Sequence, residues 1–475
     1  MDMLSRRLFL QGMAAAGGLT AISSSLSQPA FGVDTGGYKA LVGIFLKGGL
    51  DAGDVIMPTN PVHYNALTDL REGLFASYRN ANTPSRALND LLGLSIANSG
   101  AVGGRGFGLV PGMSGLQGLF NAGEAAIVGN VGPLIEPTTR QSYQDRTVAL
   151  PKKLFSHNDQ QSTWMALDAE GQSTGWGGRF ADLITAASPS TPSLYQNITV
   201  GSVDVFLSGE TSRPFSVPGG NTPTLRISSS RSLLGGGDQG DATRARIREA
   251  LLRRDFGSAS ILERDLALVS AQGIQDSEDF AEIQNSAAES LTTQFPDTSI
   301  GRQLQTVAET IAIRDSLLAT RQIFYGSRGG FDTHRSQSNE LPELAEEISD
   351  AFAAFRNAMV ELGQWGNVAV FTFSEFGRTL NGNGNGTDHG WGGHHFVAGG
   401  AVQGGRVYGA LPEPDPESGF YTENRGRLIP TVSVEQFGAT LGGWFGLNAS
   451  ELASVFPNLA NFNQTDLGFL GGATS

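Results

Sequence analysis

The chain contains no cysteine among its 475 residues, and this absence removes several kinds of chemistry. Disulfide bonds, thiolate catalysis and zinc sites built from cysteine are all excluded. Any metal ion would have to be held by oxygen atoms and imidazole nitrogens. Histidine is also scarce, with six residues in the whole chain, so a stretch in which histidines gather is informative.

Positive charge and long apolar runs are in short supply as well. The sequence has 32 lysines and arginines against 46 aspartates and glutamates, which gives a formal net charge of −14. Such an acidic surface repels phosphate backbones, so nucleic acid is not an expected partner. The net charge does not exclude a local basic pocket for an anionic substrate. The mean hydropathy of −0.13 is typical of a soluble globular protein.

The first 32 residues are predicted to be a twin-arginine signal peptide. Residues 5–11 read SRRLFLQ, a mildly apolar stretch follows, and Ala30-Phe31-Gly32 offers a small-residue cleavage site. The alternative is a membrane anchor, but the apolar stretch falls short of the roughly 20 residues that a spanning helix needs. We therefore expect recognition by the twin-arginine export machinery, a periplasmic or extracellular location, and no stable membrane span after cleavage.

The remainder, residues 38–475, is predicted to be a single α/β domain. Near-continuous apolar runs at residues 38–46 and 368–373 indicate central strands of a mostly parallel sheet flanked by helices. Residues 342–362 carry apolar side chains at spacings of three and four, which predicts an amphipathic helix. The pattern changes at about 180–300, which we interpret as an insertion or cap. Other expected elements are helices at 112–121, 244–292, 301–318 and 433–445, and strands at 125–131, 199–207, 224–227, 322–325 and 396–398.

Carboxylates, imidazoles and one serine cluster near the predicted strand ends. In open α/β sheets, ligands bind beyond the carboxyl ends of the strands. Five of the six histidines lie in these stretches. The candidate residues are Asp51, Ser156, His157, Asp332, His334, Glu375, Arg378, Asp388 and His389, with His394 and His395 just beyond.

This set of residues suits a hydrolase with two metal ions, in which cations hold an anionic substrate and activate a nucleophile. Arg378 or Lys47 would then pair with a phosphate or sulfate oxygen. Ser156 is either a helix cap or a nucleophile at a helix N-terminus, where backbone amides favour an anion. The alternative for the rest is structural: Glu375 and Arg378 form an ion pair, and His394 and His395 pack in a turn.

Five segments carry a resemblance to a known family. After the twin-arginine start, the chain reads, in this order, FLKGGLDAGDVIMP, FSHNDQQSTW, GGFDTHRSQ, VFTFSEFGRT and GTDHG. Together they resemble the domain-of-unknown-function family 1501 of exported bacterial proteins, which is similar to the alkaline phosphatase and sulfatase superfamily. The resemblance implies a mostly parallel sheet between helices and a two-metal site at the strand ends.

The resemblance also implies roles for individual residues. Ser156 matches the nucleophile best, with Ser162 and Thr163 as alternatives, while Lys47 stands where an arginine is expected. No cysteine exists from which formylglycine could form. The implied metal ligands are Asp51, Asp332, His334, Glu375 and His389, to which we add Asp388.

Our hypothesis is an exported hydrolase of phosphate or sulfate esters, small or polymeric. Ser156, beside His157, would attack at a site with two divalent metal ions, and Arg378 would stabilise the transferring group. The sequence does not distinguish zinc, calcium, magnesium and manganese. The alternative from another class is a non-catalytic secreted protein of the same fold that binds a metal or an anionic polymer in the cell envelope.

Overall fold

Nine of the described strands form one sheet, and its middle strands are almost wholly buried. The computed structural model describes residues 33–81, 84–188, 194–217, 219, 260–287, 291–422 and 425–471, with a few isolated positions between 242 and 249. The predicted signal peptide and the predicted strand at 224–227 lie outside these residues, as does most of the first part of the predicted helix at 244–292.

The strands alternate with helices along most of the chain. The strands are β1 (Lys39–Leu46), β2 (Ile56–Pro58), β3 (Leu92–Gly93), β4 (Phe107–Leu109), β5 (Ala125–Gly132), β6 (Asn197–Thr199), β7 (Phe215–Ser216), β8 (Arg321–Arg328), β9 (Val368–Phe373), β10 (Arg378–Gly382), β11 (Thr387–His389), β12 (Gly393–Ala398), β13 (Val407–Gly409) and β14 (Val432–Ser433). The α-helices are α1 (Pro61–Leu70), α2 (Glu72–Asn80), α3 (Ser114–Asn121), α4 (Arg140–Asp145), α5 (His157–Ala166), α6 (Trp176–Ala187), α7 (Ile261–Ala287), α8 (Ser299–Ala312), α9 (Gln337–Glu361), α10 (Val434–Phe445) and α11 (Ala449–Val455).

The main sheet has the order β13-β5-β12-β9-β1-β8-β6-β7, with β14 also paired to β5. β1 lies between β9 and β8 and is parallel to both, with Val42 opposite Val370 and Phe324. Among the described strands of this sheet, β12 alone runs antiparallel to its neighbours. The carboxyl ends of β1, β8 and β9 therefore meet at one edge, which is where the residues that follow them come together.

Two apolar layers cover the two faces of the sheet. Because side chains alternate along a strand, Val42 and Ile44 of β1 join one buried cluster with Phe352 of α9. Phe45 joins the opposite cluster, which contains Trp176 of α6. The predicted class, a mostly parallel sheet flanked by helices, is confirmed.

Most predicted elements occur close to their expected bounds, but two differ. The strand predicted at 199–207 is wrong, because β6 ends at Thr199, whose hydroxyl donates to the carbonyl oxygen of Ser202 and turns the chain. The helix predicted at 301–318 ends at Ala312. In the described part of the chain, no helix combines the length and apolar character that crossing a membrane requires.

His394 and His395 lie in strand β12 and not in a turn. The backbone N–H of Asn130 donates to Nδ1 of His394 at 2.8 Å. His395 is only 1% exposed, and its ring packs edge-on against Trp164 at 5.1 Å between centroids. His395 is therefore a core residue that stays neutral because it is buried.

Replacement of His395 by phenylalanine should remove a pH-dependent loss of stability. Burial, followed by the charge of His394, lowers the pKa of His395 to about 3 in the folded protein, against about 6.5 in an unfolded chain. The contribution of neutral His395 is fully present above about pH 6.5, and it decreases by up to about 1.4 kcal/mol per pH unit as the pH falls towards about 3. Denaturant unfolding of both proteins between about pH 7 and about pH 4 measures the difference. Parallel stability curves would contradict this expectation.

Candidate metal centre

Three side chains from separate segments converge at the carboxyl edge of the sheet. One ligand atom each from His157, Asp332 and His389 lies within 4.8 Å of the other two. His157 begins α5, Asp332 follows β8, and His389 ends β11. His334 borders the same point, with its Nε2 at 3.2 Å from Asp332 Oδ1 and 2.9 Å from His389 Nε2. We refer to His157, Asp332, His334 and His389 as the histidine cluster.

The hydrogen-bond partners of the three histidines indicate where their protons lie. Nδ1 of His389 faces the carbonyl oxygen of Phe155 at 3.0 Å. Nδ1 of His157 faces Glu375 Oε1 at 2.8 Å, and Nδ1 of His334 faces Asp388 Oδ1 at 3.2 Å. A carbonyl or a carboxylate only accepts, so each Nδ1 carries the proton and each neutral ring has its lone pair on Nε2.

These lone pairs all face the carboxylate of Asp332. His334 Nε2 and His389 Nε2 each lie 3.2 Å from Asp332 Oδ1, and His157 Nε2 lies 3.5 Å from Oδ2. Acceptors that face one another without a proton repel, and a metal cation between them removes the repulsion. Ligands bound to zinc at about 2.0–2.1 Å in a tetrahedron are roughly 3.3 Å apart, a spacing close to those seen. The donor set therefore fits a divalent metal that accepts imidazole and carboxylate ligands.

The local electrostatics disfavour a proton on His334 and His389. Burial, followed by the positive charge of Arg378, lowers the pKa of His334. Burial also lowers the pKa of His389, with the charges of His157 and Arg378 acting in the same direction. The pKa of His157 is raised, chiefly by its hydrogen bond to Glu375, although burial opposes this effect. The two rings in closest contact are thus kept neutral, which is the form that binds metal ions.

Arg378 fixes the position of the Asp332 carboxylate. Its Nη1 donates to Asp332 Oδ1 at 2.9 Å and to the carbonyl oxygen of Gly48 at 3.2 Å, while Nη2 donates to the carbonyl oxygen of Thr387 at 2.8 Å. Burial raises the pKa of Asp332, but the hydrogen bond and charge of Arg378 outweigh it and lower that pKa overall. Arg378 therefore keeps Asp332 ionised, and its guanidinium is already used by protein acceptors.

Glu375 plays a similar part for His157. It is fully buried, and its Oε1 accepts hydrogen bonds from the backbone N–H of Gly48 at 2.8 Å and from Gln161 Nε2 at 3.1 Å, besides facing His157. Gly48 has a φ of +120°, and a Cβ atom there would lie 2.2 Å from the backbone nitrogen of Asp332. Only glycine fits at this crossing of the segments after β1 and β8.

The structure places Asp51 in a buried ion pair beside the histidine cluster. Its two carboxylate oxygens accept from Arg71 Nη1 at 2.9 Å and Nη2 at 3.0 Å, and Oδ2 also accepts from Gln337 and Thr387. Arg71 in turn donates to the carbonyl oxygens of Thr379 and Leu380. A metal ion at Asp51 would have to displace this bidentate arginine. The pairing escaped sequence reasoning because Arg71 lies at the junction of α1 and α2, away from any predicted strand end and with no motif around it.

The candidate nucleophilic hydroxyls belong to the N-cap residue of α5 and to two residues within that helix. Ser156 is the N-cap residue, and its hydroxyl donates to Asp159 Oδ2 at 2.8 Å. The hydroxyl of Thr163 donates to the carbonyl oxygen of Asp159 at 2.8 Å, and Ser162 is buried on the same helix. In the described part of the chain, no hydrogen bond joins these hydroxyls to the histidine cluster. Lys47 also points elsewhere, with its Nζ at 2.9 Å from Asp204.

A pocket of about 450 Å³ opens beside the histidine cluster. Two arginines on its wall escaped sequence reasoning, because they lie in a loop after β13 without any strand-end signal. One of them, Arg425, forms an ion pair with Asp388, the residue that faces His334 Nδ1. The lining residues are Phe155, His334, Asp388, His389, Arg425 and Arg427.

Removing Arg71 should destabilise the protein severely. In Arg71→Met, the carboxylate of Asp51 stays buried without its partner, so we expect the free energy of unfolding to fall by about 3–5 kcal/mol. Asp51→Asn/Arg71→Met should regain part of this loss, because it no longer buries an unpaired charge. Arg79→Met, which alters an exposed arginine in α2, the helix that Arg71 precedes, serves as the control and should change stability by less than about 0.5 kcal/mol. Equal stabilities of Arg71→Met and Arg79→Met by denaturant unfolding would contradict the expectation.

Comparisons with solved structures find distant likenesses. Ps i-CgsB, solved in complex with k-i-k-neocarrahexaose, is 8% identical with a TM-score of 0.33, covering 90% of this chain and 77% of its own. The PsFucS1 sulfatase from Pseudoalteromonas sp. is 10% identical with a TM-score of 0.26, covering 73% of this chain and 68% of its own. At these TM-scores the likeness carries no argument about activity.

A comparison with curated proteins found no match. The family described as protein of unknown function (DUF1501) matches residues 38–454, which include every member of the histidine cluster. This match spans most of the sequence and agrees with the resemblance carried by its five segments. The chain belongs to the DUF1501 family.

Proposed function

We propose that the protein is an exported hydrolase of sulfate or phosphate esters that works with one divalent metal ion at the histidine cluster. The observation that carries this proposal is the convergence of three Nε2 lone pairs on the ionised carboxylate of Asp332. A divalent cation in such a site supplies Lewis-acid chemistry to an ester oxygen. Two metal ions, as the sequence led us to expect, would further require Asp51 to leave Arg71.

The residues behind the cluster orient it. Metal-binding histidines usually donate their second ring N–H to a carboxylate or a carbonyl, which sets the tautomer and the ring direction. Glu375, Asp388 and the Phe155 carbonyl face the three Nδ1 atoms in this way. Arg378 adds the same support for Asp332. We therefore assign positioning roles to Glu375, Asp388 and Arg378, and metal-binding roles to the histidine cluster.

An anionic ester suits the surroundings of the cluster. The pocket beside His334 and His389 is lined by Arg425 and Arg427 in a chain whose formal net charge is −14. Positive side chains next to a metal site attract substrates with negatively charged oxygen atoms. The twin-arginine motif at the N-terminus supports export, so we place the reaction in the periplasm or outside the cell.

One observation favours a second candidate, a secreted protein that binds a metal or an anionic polymer without turnover. The hydroxyl of Ser156 is committed to Asp159 at 2.8 Å, and the described residues bring no other serine or threonine hydroxyl into a hydrogen bond with the cluster. Hydrolysis would then need water as the nucleophile, and Ser156 would only occupy the N-cap position of α5 and donate to Asp159. Both candidates require a metal site or an anion site, so binding does not distinguish them. Only a measurement of ester hydrolysis does.

Metal analysis tests the site. Elemental analysis of protein purified without chelators should find about one equivalent of a divalent metal, which Asp332→Ala and His389→Ala should each lose because each removes a ligand. His63→Ala, which alters the one histidine outside the predicted site stretches, is the matched control and should retain the metal. Asp51→Asn should retain it as well. Loss of one of two equivalents in Asp51→Asn would favour the two-metal arrangement, and a metal-free wild type that cannot be reloaded would refute the proposal.

Hydrolytic activity should depend on the bound metal ion. The wild-type protein should hydrolyse p-nitrophenyl sulfate or p-nitrophenyl phosphate, and Asp332→Ala should lose at least about a hundredfold in kcat/KM, since the site loses its ionised ligand. Ser156→Ala discriminates between the nucleophiles: activity close to wild type indicates water, and its loss indicates the serine. A metal-loaded protein with no turnover on either ester would support the binding candidate.

A further inference from the structure

We propose that Arg427 is the residue that binds the anionic group of the substrate, a tetrahedral oxyanion such as a sulfate or phosphate ester. This inference deepens the proposed function and rests on it. It replaces the role that the sequence suggested for Arg378, whose guanidinium is buried and bonded to Asp332, Gly48 and Thr387. Arg427 instead lines the pocket beside the histidine cluster.

Arg427 is fixed on two sides. Its Nε donates to the backbone carbonyl of His389 at 3.0 Å, so the arginine is tied to a member of the histidine cluster. Its guanidinium carbon lies 3.9 Å from the centroid of the Phe155 ring, which is a close cation–π contact. An arginine held at Nε and on one face keeps the planar fork of its Nη atoms in a defined position.

The Nη atoms of Arg427 are available to a ligand. Within the described residues, neither Nη atom donates to a protein acceptor and no carboxylate forms an ion pair with this guanidinium. Arg425, the other arginine on the pocket wall, is paired with Asp388. Of these two, Arg427 therefore brings the uncompensated positive charge to the pocket, and a planar fork is the group that binds oxyanions in a bidentate manner.

The backbone at Phe155 indicates that this arrangement is built and not incidental. Phe155 has a φ of +72°, in the left-handed region that bulky residues rarely adopt. This conformation accompanies a double contact: the carbonyl oxygen accepts from His389 Nδ1, and the ring lies against Arg427. Such backbone outliers persist where the surroundings enforce them, and they concentrate at functional sites. Phe155 thus joins the arginine to the metal-binding histidine.

The decisive measurement is the binding of inorganic phosphate and of inorganic sulfate by calorimetry. The metal content of every sample is measured in parallel. Arg427→Gln should raise Kd for the preferred anion by about tenfold or more, because it removes a charge-assisted bidentate contact. Arg427→Lys should fall between Gln and wild type, since it restores the charge without the fork. Arg406→Gln, an exposed arginine after Gly405 in the loop before β13, makes the same change in net charge and should bind as the wild type does.

The outcomes separate this inference from the proposed function. Unchanged anion binding in folded, metal-containing Arg427→Gln would overturn the role of Arg427 and leave the metal-dependent reaction standing. No anion binding by the wild type would also overturn it. A wild type without metal whose anion binding still depends on Arg427 would refute the metal site and support the anion site. A preference for phosphate or for sulfate identifies which ester the site takes.

Discussion

The ion pair between the buried guanidinium of Arg378 and the exposed carboxylate of Asp332 holds the site together. One guanidinium joins the loop after β1, through the carbonyl oxygen of Gly48, to Asp332 after β8 and to Thr387 of β11. Without that cation, the Asp332 carboxylate would face three imidazole lone pairs and lose the interaction that lowers its pKa. The positions of the histidine cluster therefore depend on a charge that no substrate needs to touch.

The protein interior next to the histidine cluster contains a network of buried polar side chains. Asp51, Arg71 and Gln337 are buried together, and their hydrogen bonds join the loop after β1 to the residue before α2 and to the start of α9. Burying such a network costs desolvation energy, and its hydrogen bonds offset this cost only when every polar group has a partner. Its hydrogen bonds also reach Thr387 in β11, the strand that ends at His389, so the network is connected to the histidine cluster.

Particular residues show how far sequence reasoning reaches. The rule that ligands gather beyond parallel strands directed attention to Asp332, Glu375 and His389, and these residues do lie together. The same rule directed attention to Asp51, which lies at the expected edge but faces Arg71. Arg427 was missed, because its position at the pocket depends on a long loop and on a ring from a distant segment. Local patterns do not encode contacts of that kind.

The sequence by itself determined the fold class, because apolar runs and helical spacings report which faces must be buried. It also determined the family, through the five segments and their order along this chain, and the absence of any cysteine-based chemistry. Only the tertiary structure decided which partner each carboxylate contacts. Asp332 faces the imidazoles, whereas Asp51 is held by an arginine. The reason is physical: hydrogen-bond partners are selected by ångström-scale positions that are set when distant segments pack.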